Sequence, residues 1–138
     1  MDRTPDAPGF RLFGSFLCFA TVMAALAAFL LLFPGTPLDR LWALNPHAYV
    51  QFASLGALIP WVGFGFIVLA VLGACTTRLW FQRRLLGWRL ATIAIATQAI
   101  GDAVNFFRGE RLAGLVGLII ASVLLAFLLS RRVKSAFY

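Results

Sequence analysis

Asp102 is the residue of this chain best placed to do chemistry. It is the only charged residue in the apolar run from Leu90 to Phe107. Gln98 lies four residues before it and Asn105 three after, so on a helix all three share one face. A charge at the bilayer centre costs roughly 2.5–3.5 kcal/mol on insertion scales, so an acid in a spanning segment faces a partner or a polar cavity. Asp102 is shallow, because five residues separate it from Phe107, about 7.5 Å of helix. Two expectations follow. Either Gln98, Asp102 and Asn105 line a polar cavity for a cation, a proton or a lipid headgroup, or Asp102 ties two helices together through Arg108 or Arg111 snorkelling back to it.

The other reactive side chains are few. His47 is the only histidine. Bis-histidine haem ligation within the chain is therefore excluded, and a histidine-based zinc site has little support. Beside Pro46, His47 reads as a wet residue at a helix start, or as a proton acceptor if it meets Asp102. Cys18 and Cys75 lie in apolar surroundings without CxxC spacing and read as small packing residues, so neither a metal site nor a redox pair is expected. GxSxG, HExxH and Walker patterns are absent, as are paired carboxylates, and no catalytic residue or cofactor is assigned.

These residues sit in a chain that is 62% hydrophobic and 12% charged, with mean hydropathy +0.91. A soluble domain carries about 25% charged residues. So much apolar surface cannot be buried in one small soluble domain, and lipid is its natural solvent. The expected fold is all-α, a single four-helix transmembrane bundle, with spans near 11–33, 47–75, 86–107 and 111–131. Pro34-Gly35 ends the first span. Thr36-Pro37-Leu38-Asp39 reads as a hydroxyl cap, a proline in the first turn and an acid near the N-terminus, opening a short interfacial helix to about Ala43. Asn45-Pro46 caps the second span, and Trp42 and Tyr49 suit the headgroup level. Pro60 should kink the second span near its middle.

The net charge of +7 falls between the apolar runs, which points to headgroups and topology rather than nucleic acid. Arg3, Arg11, Arg78, Arg83, Arg84, Arg89, Arg131, Arg132 and Lys134 share one side of a four-span chain. Arg40, Arg108 and Arg111 share the other. The bias places both termini in the cytoplasm. Arg78, Arg83 and Arg84, mixed with Trp80 and Phe81, are the expected contacts to anionic headgroups. The almost neutral start from Met1 to Gly9 and the long run after Arg11 read as a retained helix, not a cleaved signal.

Helices in lipid associate through close packing and polar contacts. On the third span Gly87, Ala91, Ala94, Gln98, Asp102 and Asn105 fall within an arc of about 80°, the expected interior stripe, with Ile93, Ile100 and Phe107 opposite. Gly114, Gly117 and Ala121 form a small-residue face on the fourth span. Ala20, Ala24 and Ala27 form one on the first.

The segment from Phe33 through Asn45-Pro46, followed by Gly87-Trp88-Arg89-Leu90-Ala91 and Gly101-Asp102-Ala103-Val104-Asn105, resembles small bacterial four-span inner-membrane proteins of unknown function. The resemblance covers most of the chain and implies a bacterial inner-membrane location without an assigned activity. Small multidrug exporters use a glutamate in their first span, which has no acid here. The quinone-linked disulfide oxidases need a CxxC pair, and the filter motif of small fluoride channels is not evident. The expected function is that of a non-enzymatic membrane protein: an accessory or assembly subunit, or a binder of lipid or a small ligand, acting as a homo-oligomer or within a larger complex. The alternative is a small oligomeric transporter or channel with Gln98, Asp102 and Asn105 at its pathway. A membrane enzyme is the weakest fit.

Overall fold

The computed structural model describes residues 9–137, and among these the fold is all-α. Six helices follow one another: α1 (Phe10–Leu32), α2 (Pro46–Ala53), α3 (Ile59–Phe81), α4 (Leu85–Phe107), α5 (Arg111–Leu129) and α6 (Arg131–Lys134). A 3-10 helix over Pro37–Leu44 precedes α2, and a 3-10 turn over Gly56–Leu58 precedes α3. Four segments, Phe10–Leu32, Gly56–Phe81, Leu85–Phe107 and Arg111–Leu129, are long and apolar enough to cross a membrane. Large apolar side chains such as Leu12, Trp61, Phe107 and Leu112 stand exposed along them, which in lipid leaves no surface in the wrong solvent. The chain is a membrane protein. Arg3 and the start from Met1 through Pro8 lie outside the described residues.

The second crossing segment begins at Gly56, not near residue 47. Asn45 caps α2 as its type dictates, its side chain accepting from the Ala48 N–H at 3.1 Å. That helix ends at Ala53. Gly56 then takes φ +52°, a left-handed conformation that favours glycine, and α3 starts at Ile59. Pro60 therefore occupies the first turn of α3, where its missing N–H costs no helical bond. The expected mid-span kink is replaced by a break at residues 54–58. The turn before α2 also differs from expectation. Thr36 makes no side-chain cap; instead an Asp39 Oδ2 accepts from the Gly35 N–H at 2.6 Å, while Gly35 sits at φ +88°.

The chain divides into two compact units. One takes the described residues up to Ser15 and from Cys75 onward; the other is Phe16–Ala74.

In the first unit α4 and α5 pair along their length. Gly114 is what lets the backbones meet: a Cβ there would lie 2.5 Å from the Phe106 N and 2.7 Å from the Asp102 O. Gly87 plays the same part at the other end of α4, where a Cβ would lie 2.6 Å from the Trp80 N. Trp80 is 0% exposed. Its ring packs on Phe10, Phe13 and Phe137, with centroids 5.2, 4.6 and 4.7 Å away, and its Nε1 donates to the Phe10 carbonyl at 3.1 Å. Trp88 Nε1 donates to the Leu128 carbonyl at 2.8 Å. These two indole bonds join helix ends far apart in sequence without leaving a polar group bare.

In the second unit the end of α1 lies against the start of α3. A Cβ on Gly63 would lie 2.8 Å from Leu32 Cγ, and one on Gly73 would lie 2.5 Å from Thr21 Oγ1. Small residues thus set both contacts, as expected where lipid removes the hydrophobic drive between helices. Of the small-residue face expected on α1, Ala20 is exposed and Ala24 and Ala27 are half-buried; the buried alanine is their neighbour Ala28. Cys18 and Cys75 are free thiols and both are exposed rather than packed inside the chain.

Candidate functional site

Asp102 is buried, 9% exposed, between α4 and α5. Its carboxylate lies over Gly117, where a Cβ would fall 2.6 Å from Oδ2 and 2.7 Å from Oδ1. Gln98 Nε2 donates to both oxygens, at 3.2 and 3.3 Å. This i, i+4 bond follows directly from the helical spacing. Gln98 is the only hydrogen-bonding partner of Asp102 among the described residues. Arg108 ends α4 and Arg111 begins α5, both exposed, and neither forms the expected ion pair. Asn105 is exposed as well. The three polar residues of the sequence stripe are therefore not equivalent: one is inserted between helices, one holds it, and one stands outside.

The reason is a rotation of α4. Gly87, Ala91, Ile95 and Asp102 are its buried residues, whereas Ala94, Gln98 and Asn105 are exposed. The centre of the buried stripe lies about 25° round from the arc the small and polar residues suggested. Close approach at Gly114 and Gly117 turns the Asp102 edge, not the Ala94 edge, toward α5.

The basic residues near the α3–α4 connection have distinct places. Arg78 is exposed in the last turn of α3. Arg83 adopts φ +56° and holds its guanidinium 5.0 Å from the centre of the Phe10 ring. Arg84 is the N-cap residue of α4 and lines a shallow recess with Gln82, Leu85 and Leu86. Lys134 Nζ stands 5.5 Å over the Trp88 ring. Trp80, expected among the headgroup aromatics, belongs instead to the buried cluster, because α3 runs on to Phe81 and only Gln82–Arg84 remains as connection.

His47 is exposed on the first turn of α2, with its Nε2 3.2 Å from Gln51 Nε2. It belongs to the second unit, and Asp102 to the first. No group of three His, Cys, Asp or Glu side chains that would hold a metal ion occurs among the described residues.

The second unit contains a cleft that the residue pattern did not reveal. It has a volume of about 530 Å³ and is walled by the end of α1, the 3-10 helix, α2 and Ile59. Leu30, Leu31 and Ile59 supply aliphatic wall; Trp42, Tyr49 and Phe52 supply aromatic wall; Asp39 is the one ionisable side chain besides Tyr49. Trp42 lies 5.7 Å from Tyr49 and 5.8 Å from Phe52, centroid to centroid. Phe52 in turn meets the Phe66 ring edge-on at 6.0 Å, which anchors the wall to α3. Two shielded oxygens, Asp39 Oδ1 and Thr36 Oγ1, have no hydrogen-bonding partner. The signal present in sequence is Asp39 followed by three aromatics, Trp42, Tyr49 and Phe52. Asp39 suits a helix start and Trp42 and Tyr49 suit the headgroup level, so each residue alone points to a membrane interface.

No protein-family model, curated protein or solved structure matches the chain.

Proposed function

We propose that this chain is a non-enzymatic protein of the bacterial inner membrane, both termini cytoplasmic, that binds a lipid or small amphiphilic molecule. The observation that carries the reading is the cleft of about 530 Å³ between the end of α1 and the start of α3. Ligand sites are concave and mainly apolar, with few polar groups that fix orientation, and they run to roughly 300–1,000 Å³. This cleft has the size, the aromatic and aliphatic lining, and a single carboxylate. It is built from the segment that joins two membrane-crossing helices, where an amphiphile has both apolar and polar surroundings. The basic residues Arg78, Arg83 and Arg84 serve anionic headgroups in the same account, at about 1 kcal/mol each near the surface. Native mass spectrometry of the full chain released from its own membrane tests the proposal. Wild type should carry a bound amphiphile, and Ala53→Trp, which fills the cleft, should lose it. Wild type free of any bound amphiphile would reject the proposal.

One observation favours a second reading, a small oligomeric transporter or channel at Gln98, Asp102 and Asn105: a buried carboxylate in a crossing helix without a basic partner among the described residues. Intramembrane acids are functional candidates by default. Against it, the carboxylate packs on Gly117 and is held by Gln98, which is how a helix tie is made. Ion flux into proteoliposomes that vanishes in Asp102→Asn would favour transport over binding.

A further inference from the structure

We infer that the cleft of the second unit selects an alkylammonium cation, an inference that rests on the reading of that cleft as an amphiphile site. Three aromatic rings and one carboxylate converge on it. Asp39 spends Oδ2 on the Gly35 N–H at 2.6 Å, and Oδ1 is shielded and has no hydrogen-bonding partner, so the acid acts on the cleft through its charge and not through a direct bond. Asp39 forms no ion pair among the described residues, and the cleft wall contains no lysine or arginine. The acid is thus held in place by the turn it closes, while its charge is left uncompensated.

The aromatic side adds a second, independent preference. Trp42 stands within 5.8 Å of both Tyr49 and Phe52, so three rings cluster in the cleft wall. A ring attracts a cation through its quadrupole within about 6 Å of the centroid, and tryptophan is the best of the three. Aromatic walls near a carboxylate are the arrangement that suits an ammonium nitrogen carrying hydrocarbon groups: the alkyl groups lose water to the rings and the charge lies in the field of the acid. Leu30 and Leu31 provide the continuing apolar wall for a chain. An anion would meet Asp39 with no basic group to offset it. A neutral amphiphile would fill the apolar wall and leave the acid as it is, which predicts weaker binding rather than none.

The test uses the full chain in phosphatidylglycerol nanodiscs at about 1 M salt, where the Debye length of about 3 Å screens the anionic surface, with empty discs subtracted, and isothermal titration of octyltrimethylammonium against neutral octyl glucoside. Wild type should bind the cation about tenfold more tightly. Asp39→Asn keeps an acceptor for the Gly35 N–H and should lower that preference several-fold, leaving the part the rings supply; an unchanged preference in this variant overturns the role of the acid. Trp42→Leu, a second variant that leaves Asp39 in place, should lower the preference several-fold. Equal binding of the two amphiphiles to wild type overturns the cation selectivity and leaves the amphiphile site standing. Binding of neither overturns both. Discs that contain phosphatidylethanolamine separate the two sources of an ammonium group. Weaker apparent octyltrimethylammonium binding there identifies the lipid headgroup as occupant, and unchanged binding identifies a free amine.

Discussion

The carboxylate of Asp102 occupies the space that a side chain on Gly117 would need, with Oδ2 only 2.6 Å from where a Cβ would stand. An acid on α4 is thereby matched to an absence on α5. Gly114, one turn earlier, brings the backbones together; Gly117 makes room for the polar group carried between them. The pairing of these two helices is a fit of shapes before it is an electrostatic contact.

Gly117→Ala should therefore destabilise the fold by about 1–3 kcal/mol, the usual cost of overpacking. Gly101→Ala should be neutral or slightly stabilising, since a Cβ at Gly101 meets nothing within 4 Å and alanine is the better helix former. Thermal unfolding of both variants in the same detergent checks the contrast.

Gln98→Leu should cost about 1–3 kcal/mol, because it leaves a buried carboxylate without its hydrogen bond. The same change made in an Asp102→Leu background should cost close to nothing. A double-mutant cycle by denaturant unfolding reads the coupling. A cost that persists without Asp102 would show that Gln98 acts through other contacts.

Most of the fold was legible because lipid imposes simple rules. Uncharged runs of about 20 residues mark crossing helices, and Asn45-Pro46 marked a helix start that the Ala48 N–H bond displays. The break at residues 54–58 was not legible, since Pro60 in a long apolar run looks the same whether it kinks a helix or begins one. The tilt of the α4 stripe was hidden for a similar reason. Small residues show that a face packs closely, but the partner helix decides which edge of that face is covered, and Ile95 rather than Ala94 is buried. Trp80 illustrates a third limit. An aromatic between arginines suits a headgroup or a core equally, and only the run of α3 to Phe81 places it inside.

Trp80→Ala should be among the most damaging single changes, at about 3–5 kcal/mol. It opens a void among Phe10, Phe13 and Phe137 and removes the indole donor to the Phe10 carbonyl. Trp80→Phe should recover most of the packing but not the bond. Melting temperatures in the order wild type, Trp80→Phe, Trp80→Ala would match this division.

The basic bias predicts that the α3–α4 connection and the α4–α5 turn lie on opposite sides of the membrane, the former in the cytoplasm. Single cysteines at Arg84 and Glu110, in a chain with Cys18 and Cys75 changed to serine, allow a membrane-impermeant maleimide to report this in whole cells. Labelling is expected at 110 and not at 84; the reverse pattern would invert the topology.

Occupancy of the cleft beside Asp39 and Trp42 is tested most directly by photo-crosslinking. A diazirine-bearing alkyl ammonium amphiphile is added to native membranes, irradiated, and its attachment sites are mapped by peptide mass spectrometry. Adducts should concentrate on residues 30–59 and be lost in Ala53→Trp. Adducts spread evenly over the exposed faces of α3, α4 and α5, and unchanged in that variant, would contradict it.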